Sequence, residues 1–113
     1  MNFKRYLPYV GLALLGVFML TSAHAESGAK EAMAAGAMLL DVRTPAEFSE
    51  GHLKGAVNIP VDDLAAKISA VGPKDKPIVV YCRSGKRSAR AKGMLKDAGY
   101  EKVFDLGAMS NSN

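Results

Sequence analysis

The sequence predicts an α/β fold, a small parallel sheet with helices on both faces. Short apolar runs, Met38-Leu39-Leu40-Asp41-Val42 and Ile78-Val79-Val80-Tyr81, alternate along the chain with segments of helical spacing. The second run has no polar alternation at all, as expected of a strand covered on both sides. The segments between the runs are long enough to carry the helical crossovers that parallel strands require.

In chain order, Ala29 to Ala35, rich in alanine with Glu31 and Met33, predicts a helix ended by Gly36. Met38 to Val42 is the first strand. Thr44-Pro45-Ala46-Glu47 spells a capping box, with Thr44 as N-cap, Pro45 at the first helical position and Glu47 reaching back, so a short helix should run to about Gly51. Ala56 to Pro60 predicts a second small strand. Val61 to Val71 carries apolar residues at 61, 64, 65, 68 and 71, the spacing of an amphipathic helix stopped by Gly72-Pro73. Lys76-Pro77 opens the strand Ile78 to Tyr81, Ser88 to Ala98 is helical and ends at Gly99, and Lys102 to Leu106 is a last strand. Ligands of such sheets gather at the carboxyl ends of strands, which is where Cys82 stands.

Lys4 and Arg5 precede an uncharged stretch, Tyr6 to Ala25, with an apolar centre from Val10 to Leu20 and the small-x-small ending Ala23-His24-Ala25. This pattern predicts a signal peptide over residues 1–25, cleaved after Ala25, and a single periplasmic domain over residues 26–113 with no stable membrane association. Pro8, Gly11 and Gly16 speak against the alternative, an uncleaved anchor. Removing Lys4 and Arg5 from the 15 basic residues leaves 13 against 11 acidic ones, too even a balance for a nucleic-acid partner. One cysteine allows no internal disulfide, and one cysteine with two scattered histidines predicts no metal site. No nucleotide-type glycine loop or other cofactor signature is present, and the oligomeric state leaves no mark in the sequence.

The distinctive stretch is Cys82-Arg83-Ser84-Gly85-Lys86-Arg87-Ser88, set between a buried strand and a helix start. The first amides of a helix have no intrahelical partner and the helix dipole favours negative charge there, so a thiolate at that place is stabilised. Arg83, Lys86, Arg87, Arg90 and Lys92 add five positive side chains with no acidic residue among them. Gly85 lets the loop curl, and the Ser88 hydroxyl is expected to cap the helix. Arg83, Ser84, Gly85, Lys86, Arg87 and Ser88 thus form a candidate anion cradle around a nucleophilic Cys82, with Arg83 and Lys86 ahead of Arg87. The plainer alternative, a buried cysteine acting as a small hydrophobe, does not account for that loop. Glu47 reads as a cap or a partner for Arg43, and His52 is a candidate general base. Met33, Met38, Met94 and Met109 read as core filling, and Lys67, Lys74 and Lys76 as solvated surface.

Two blocks carry a resemblance to a known family. The first runs Leu40-Asp41-Val42-Arg43-Thr44-Pro45-Ala46-Glu47-Phe48 and on through Gly51-His52-Leu53-Lys54-Gly55-Ala56-Val57-Asn58-Ile59-Pro60; the second runs from Val80-Tyr81-Cys82 through Ser88-Ala89. With these blocks the chain resembles a single-domain rhodanese. The resemblance implies sulfurtransferase activity: Cys82 takes the outer sulfur of a small-molecule donor such as thiosulfate, forms a persulfide, and passes the sulfur to cyanide or a thiol. The alternative within the same chemistry is a persulfide carrier serving a specific protein partner. The resemblance also implies that Asp41 and Arg43 lie beside the loop and brace it, and that Gly51-His52-Leu53 is a structural turn, so that His52 is structural rather than a general base. Phosphatase-like relatives need an arginine six positions after the cysteine, where this chain has Ser88, so a tetrahedral phosphate would lack its guanidinium fork. A peroxide-sensing thiol would want a second, resolving cysteine, which is missing. The ending Ala108 to Asn113 departs from the family pattern and leaves a last helix open.

Overall fold

Leu39 and Leu40, adjacent on one strand, belong to different cores, and that alternation organises the domain. The computed structural model describes residues 25–113, so the predicted signal peptide lies outside them except for Ala25. Among the described residues no helix is long and apolar enough to cross a membrane. The elements are α1 (Ala29–Ala34), β1 (Met38–Asp41), α2 (Pro45–Glu50), β2 (Val57–Asn58), α3 (Val61–Leu64), a 3-10 turn (Ile68–Val71), β3 (Ile78–Cys82), α4 (Lys86–Asp97), β4 (Val103–Ala108) and a second 3-10 turn (Met109–Ser112).

The strands form one sheet in the order β2-β1-β3-β4, with every neighbouring pair parallel. Leu40, Val42, Ile78, Val80 and Cys82 point to one face, where Leu64, Ala91, Leu95 and Tyr100 from the α3 and α4 side close over them. Leu39, Val79, Tyr81 and Leu106 point to the other, covered by Ala29 of α1 with Met33 and Met109 packed alongside. Helical cover on both faces is therefore real, and it explains why β3 is buried along its whole length. The four methionines read as core filling all pack against one or other cluster. Lys67, Lys74 and Lys76 are exposed as expected.

Three local expectations need correction. The helix predicted from Val61 to Val71 is broken: α3 ends at Leu64 and Ile68–Val71 is a separate 3-10 turn. The apolar spacing holds, since Val61, Leu64 and Val71 are buried. Lys67, however, leaves the helical region at φ −115°, and the Tyr100 hydroxyl lies 3.1 Å from the Ile68 carbonyl and 2.7 Å from that of Gly72. A tertiary hydroxyl thus serves carbonyls at the end of this segment. Secondly, α4 begins at Lys86 rather than Ser88, because Gly85 at φ 102° takes the N-cap position and turns the chain two residues early. Thirdly, β2 is only two residues long. The chain end, left open by the sequence, forms the 3-10 turn Met109–Ser112, tied back by Asn111 Nδ2 to the Leu106 carbonyl at 2.9 Å.

Candidate active site

Cys82 is the last residue of β3, and the chain turns through Arg83 and Ser84 before Gly85 starts α4 back across the sheet. That reversal aims the free amides of the first turn at the sulfur. The Gly85 N–H donates to Cys82 Sγ at 3.0 Å and the Ser88 N–H at 3.4 Å, while the Ser88 hydroxyl lies 3.5 Å from the sulfur. Ser88 is fully buried and its hydroxyl donates to the Gly85 carbonyl at 3.1 Å. Ser88 is therefore not the helix cap expected from the sequence; as the third residue of α4 it lines the sulfur site. Burial pushes the Cys82 thiol up, but the Ser88 hydroxyl and the amides of Ser88, Gly85 and Ser84 outweigh it, and the net direction is below the ordinary thiol value. The sulfur is also covered, since Cys82 has no exposed surface.

The positive charge of the loop is distributed less simply than the sequence suggests. Arg87 is bound by Glu47 through both terminal guanidinium nitrogens, Nη1 to Oε1 at 2.6 Å and Nη2 to Oε2 at 3.0 Å. Arg90 pairs with Asp62 at 3.2 Å and Lys92 with Glu26. Arg83 and Lys86 are exposed and have no ion-pair partner among the described residues. Glu47 thus pairs with Arg87 and not with Arg43 as expected, and Arg87 is the least available of the three loop cations. Arg87 first, and then Thr44, hold the Glu47 carboxyl well below the usual carboxylate range. The capping box is formed as the sequence spells it, with Thr44 Oγ1 accepting from the Glu47 N–H.

Asp41 and Arg43 form a buried pair beside the loop. The Asp41 carboxylate accepts from the Arg43 backbone N–H at 2.9 Å, from Nε at 3.0 Å and from Nη2 at 2.7 Å, and Arg43 Nη2 also reaches the Gly51 carbonyl at 2.6 Å. The guanidinium lies over the Tyr81 ring, 5.6 Å from its centroid. Burial is the main reason the Tyr81 phenol is pushed up to about 12, and its oxygen accepts from the Leu53 N–H. Asn58 Nδ2 spans the Asp41 and Arg43 carbonyls at 3.0 Å each. This network fixes the chain leaving β1 without touching the sulfur. His52 donates from Nδ1 to the Phe48 carbonyl at 2.9 Å and stacks on the Phe48 ring, a turn residue as expected.

A cleft of about 320 Å³ opens beside the loop, lined by Arg43, Glu47, Glu50, Gly51, Arg83, Met109 and Ser110. Glu50 and Ser110 were not singled out by the sequence, and Met109 was read only as core filling, because only the folded sheet brings the end of α2 and the segment after β4 to the same side. Among the described residues no three His, Cys, Asp or Glu side chains converge as a metal site would need.

A family model described as a rhodanese-like domain matches residues 25–110. The chain belongs to the rhodanese family. A sulfurtransferase of Allochromatium vinosum is 41% identical to this rhodanese over 69 residues, which are 61% of the chain and 64% of that protein. The thiosulfate sulfurtransferase PspE of Escherichia coli is 36% identical over 73 residues, 64% of the chain and 70% of its own length. Among solved structures the human single-domain sulfurtransferase TSTD1 superposes with a TM-score of 0.66 at 28% identity, covering 73% of the chain and 86% of its own. The parallel sheet with helices on both faces is thus the rhodanese architecture.

Proposed function

We propose that this rhodanese is a periplasmic thiosulfate sulfurtransferase working through a persulfide on Cys82. The Cys82 thiolate attacks the outer sulfur of thiosulfate; a new sulfur–sulfur bond forms, the old one breaks, and its electron pair leaves with sulfite. A thiol or cyanide then takes the outer sulfur and the Cys82 thiolate is regenerated. The convergence of the Gly85 and Ser88 amides on the sulfur supports this reading, since both thiolate and persulfide are anions that such donors hold. Ser84 and Ser88 complete the cradle, while the Asp41–Arg43 pair braces the chain on its β1 side. The match to PspE, named a thiosulfate sulfurtransferase, supports the choice of donor.

Arg83 and Lys86, exposed and unpaired among the described residues, are the cations we assign to drawing in the dianionic donor. Arg83→Ala combined with Lys86→Ala should raise the thiosulfate KM about tenfold at low ionic strength, with the gap closing as salt is added. An unchanged KM removes that assignment.

The deciding experiment is intact mass spectrometry of the protein recovered from the periplasmic fraction. A chain starting at Glu26 and gaining one sulfur atom on Cys82 after thiosulfate treatment is the expected result. A mass that thiosulfate does not change overturns the persulfide, and a different N-terminus overturns cleavage after Ala25. The covered sulfur favours one second reading, a persulfide carrier that discharges only to a protein partner able to reach it. Rapid loading with slow turnover to cyanide and small thiols would select the carrier.

A further inference from the structure

We propose that Glu47 is a positioning residue for the reactive loop: through its two-bond pair with Arg87 it fixes the first turn of α4, keeping the Gly85 and Ser88 amides trained on the Cys82 sulfur. Arg87 lies between Lys86 and Ser88 in that turn, so holding its guanidinium holds the backbone on either side. The fork is two-pronged, at 2.6 Å and 3.0 Å, which restrains orientation as well as distance. Glu47 is itself anchored, because Oε1 also accepts from the Thr44 N–H at 3.0 Å and the Thr44 hydroxyl at 3.1 Å. The start of α4 has no side-chain cap of its own, Gly85 standing at that position. The pair therefore bolts the capped end of α2 to the uncapped start of α4, across the loop that carries the sulfur.

Two effects of removing the Glu47 charge oppose one another. Loosening the clamp would let the amides drift from the sulfur and disfavour the thiolate, whereas freeing the Arg87 charge would favour it, since Arg87 interacts electrostatically with Cys82. Clamp loss should win. The sulfur is held by direct backbone donors at 3.0 and 3.4 Å, while the Arg87 side chain is one-third exposed and its charge is correspondingly screened. The remaining charges around the site are the exposed Arg83 and Lys86 of the loop, the exposed Glu50 at the end of α2, and the mutually neutralising Arg43 and Asp41 of the β1 exit. From α3, Asp62 is engaged with Arg90 in solvent, and on β4 the Asp105 carboxylate accepts from the Gly107 N–H.

Glu47→Gln and Arg87→Lys test the proposal in the full domain, because glutamine still serves a capping box and lysine keeps the cation. The readout is the rate of Cys82 alkylation by iodoacetamide against pH, with thermal unfolding as the control for folding. The midpoint should move up by about one pH unit in Glu47→Gln, roughly tenfold less thiolate below both midpoints, and by a smaller step in Arg87→Lys. The limiting rate at high pH should be that of the unaltered protein. A purely electrostatic role predicts a lower midpoint in Glu47→Gln and none of the shift in Arg87→Lys; a purely structural role lowers the unfolding temperature and leaves the midpoint in place. Either pattern overturns the proposal. Alkylation needs no sulfur donor, so the result stands apart from whether thiosulfate loads Cys82.

Discussion

Cys82→Ser should lower thiosulfate turnover by at least ~10³-fold and abolish the added sulfur in the mass spectrum, while the domain stays folded. Serine is close in size, and at this position its oxygen would still meet the Gly85 and Ser88 amides. What it lacks is an acidity within their reach. Hydrogen bonds that bring a thiol below its ordinary value leave an alcohol many units short of ionising at neutral pH. The pH profile of the unaltered enzyme carries the same signature. Its folded-state thiol is held below its ordinary value by the amides and hydroxyl around it, so the rate of persulfide formation should rise as pH climbs through that lowered midpoint and level off above it. Steady-state assays of the two proteins, matched by their unfolding curves, check the claim. A serine protein retaining a tenth of the activity would sink Cys82 as the nucleophile.

Asp41→Asn should be the most damaging conservative change to stability. The Asp41 side chain is fully buried and its partner nearly so, with 6% of the Arg43 side chain exposed. Removing one member of such a pair leaves an uncompensated charge in the interior, a loss of about 3–5 kcal/mol. For a domain of this size each kcal/mol lowers the midpoint by ~4–8 °C, so thermal unfolding should fall by more than ~12 °C. Replacing both partners by apolar residues of similar volume, Asp41→Leu with Arg43→Met, should cost less than the single change, because no charge is stranded. The Gly51 carbonyl would still lose its Arg43 donor, which limits the recovery. A single change costing under ~1 kcal/mol would show that the pair does not anchor the exit of β1. Because this network borders the loop without touching the sulfur, partial loss of activity should track partial unfolding in the Asp41 variant. In the Cys82 variant it should not.

Much of this molecule could be read without coordinates. The alternation of apolar runs with helical spacing, the capping box at Thr44 and Glu47, and the cysteine loop are local patterns, and each forms where its residues say it should. The misplaced boundaries have tertiary causes. Gly85 rather than Ser88 starts α4, because a left-handed residue is needed to turn the chain back over the sulfur. The segment after Val61 finishes as a 3-10 turn where Tyr100, about 30 residues onward, supplies a hydroxyl to the Ile68 and Gly72 carbonyls. The apolar spacing of that segment was legible and its hydrogen-bond partner was not.

The electrostatics divide in the same way. Composition and order alone determined that the chain's one thiol sits at the carboxyl end of a buried strand among five cations, since strand and helix periodicities are properties of neighbouring residues. Only the folded sheet decided which cations lack an ion-pair partner among the described residues: Glu47, Asp62 and Glu26 come from distant parts of the chain to take Arg87, Arg90 and Lys92, leaving Arg83 and Lys86 at the mouth of the loop. Ion pairing depends on distances of a few ångströms between residues far apart in sequence, and packing alone sets those distances.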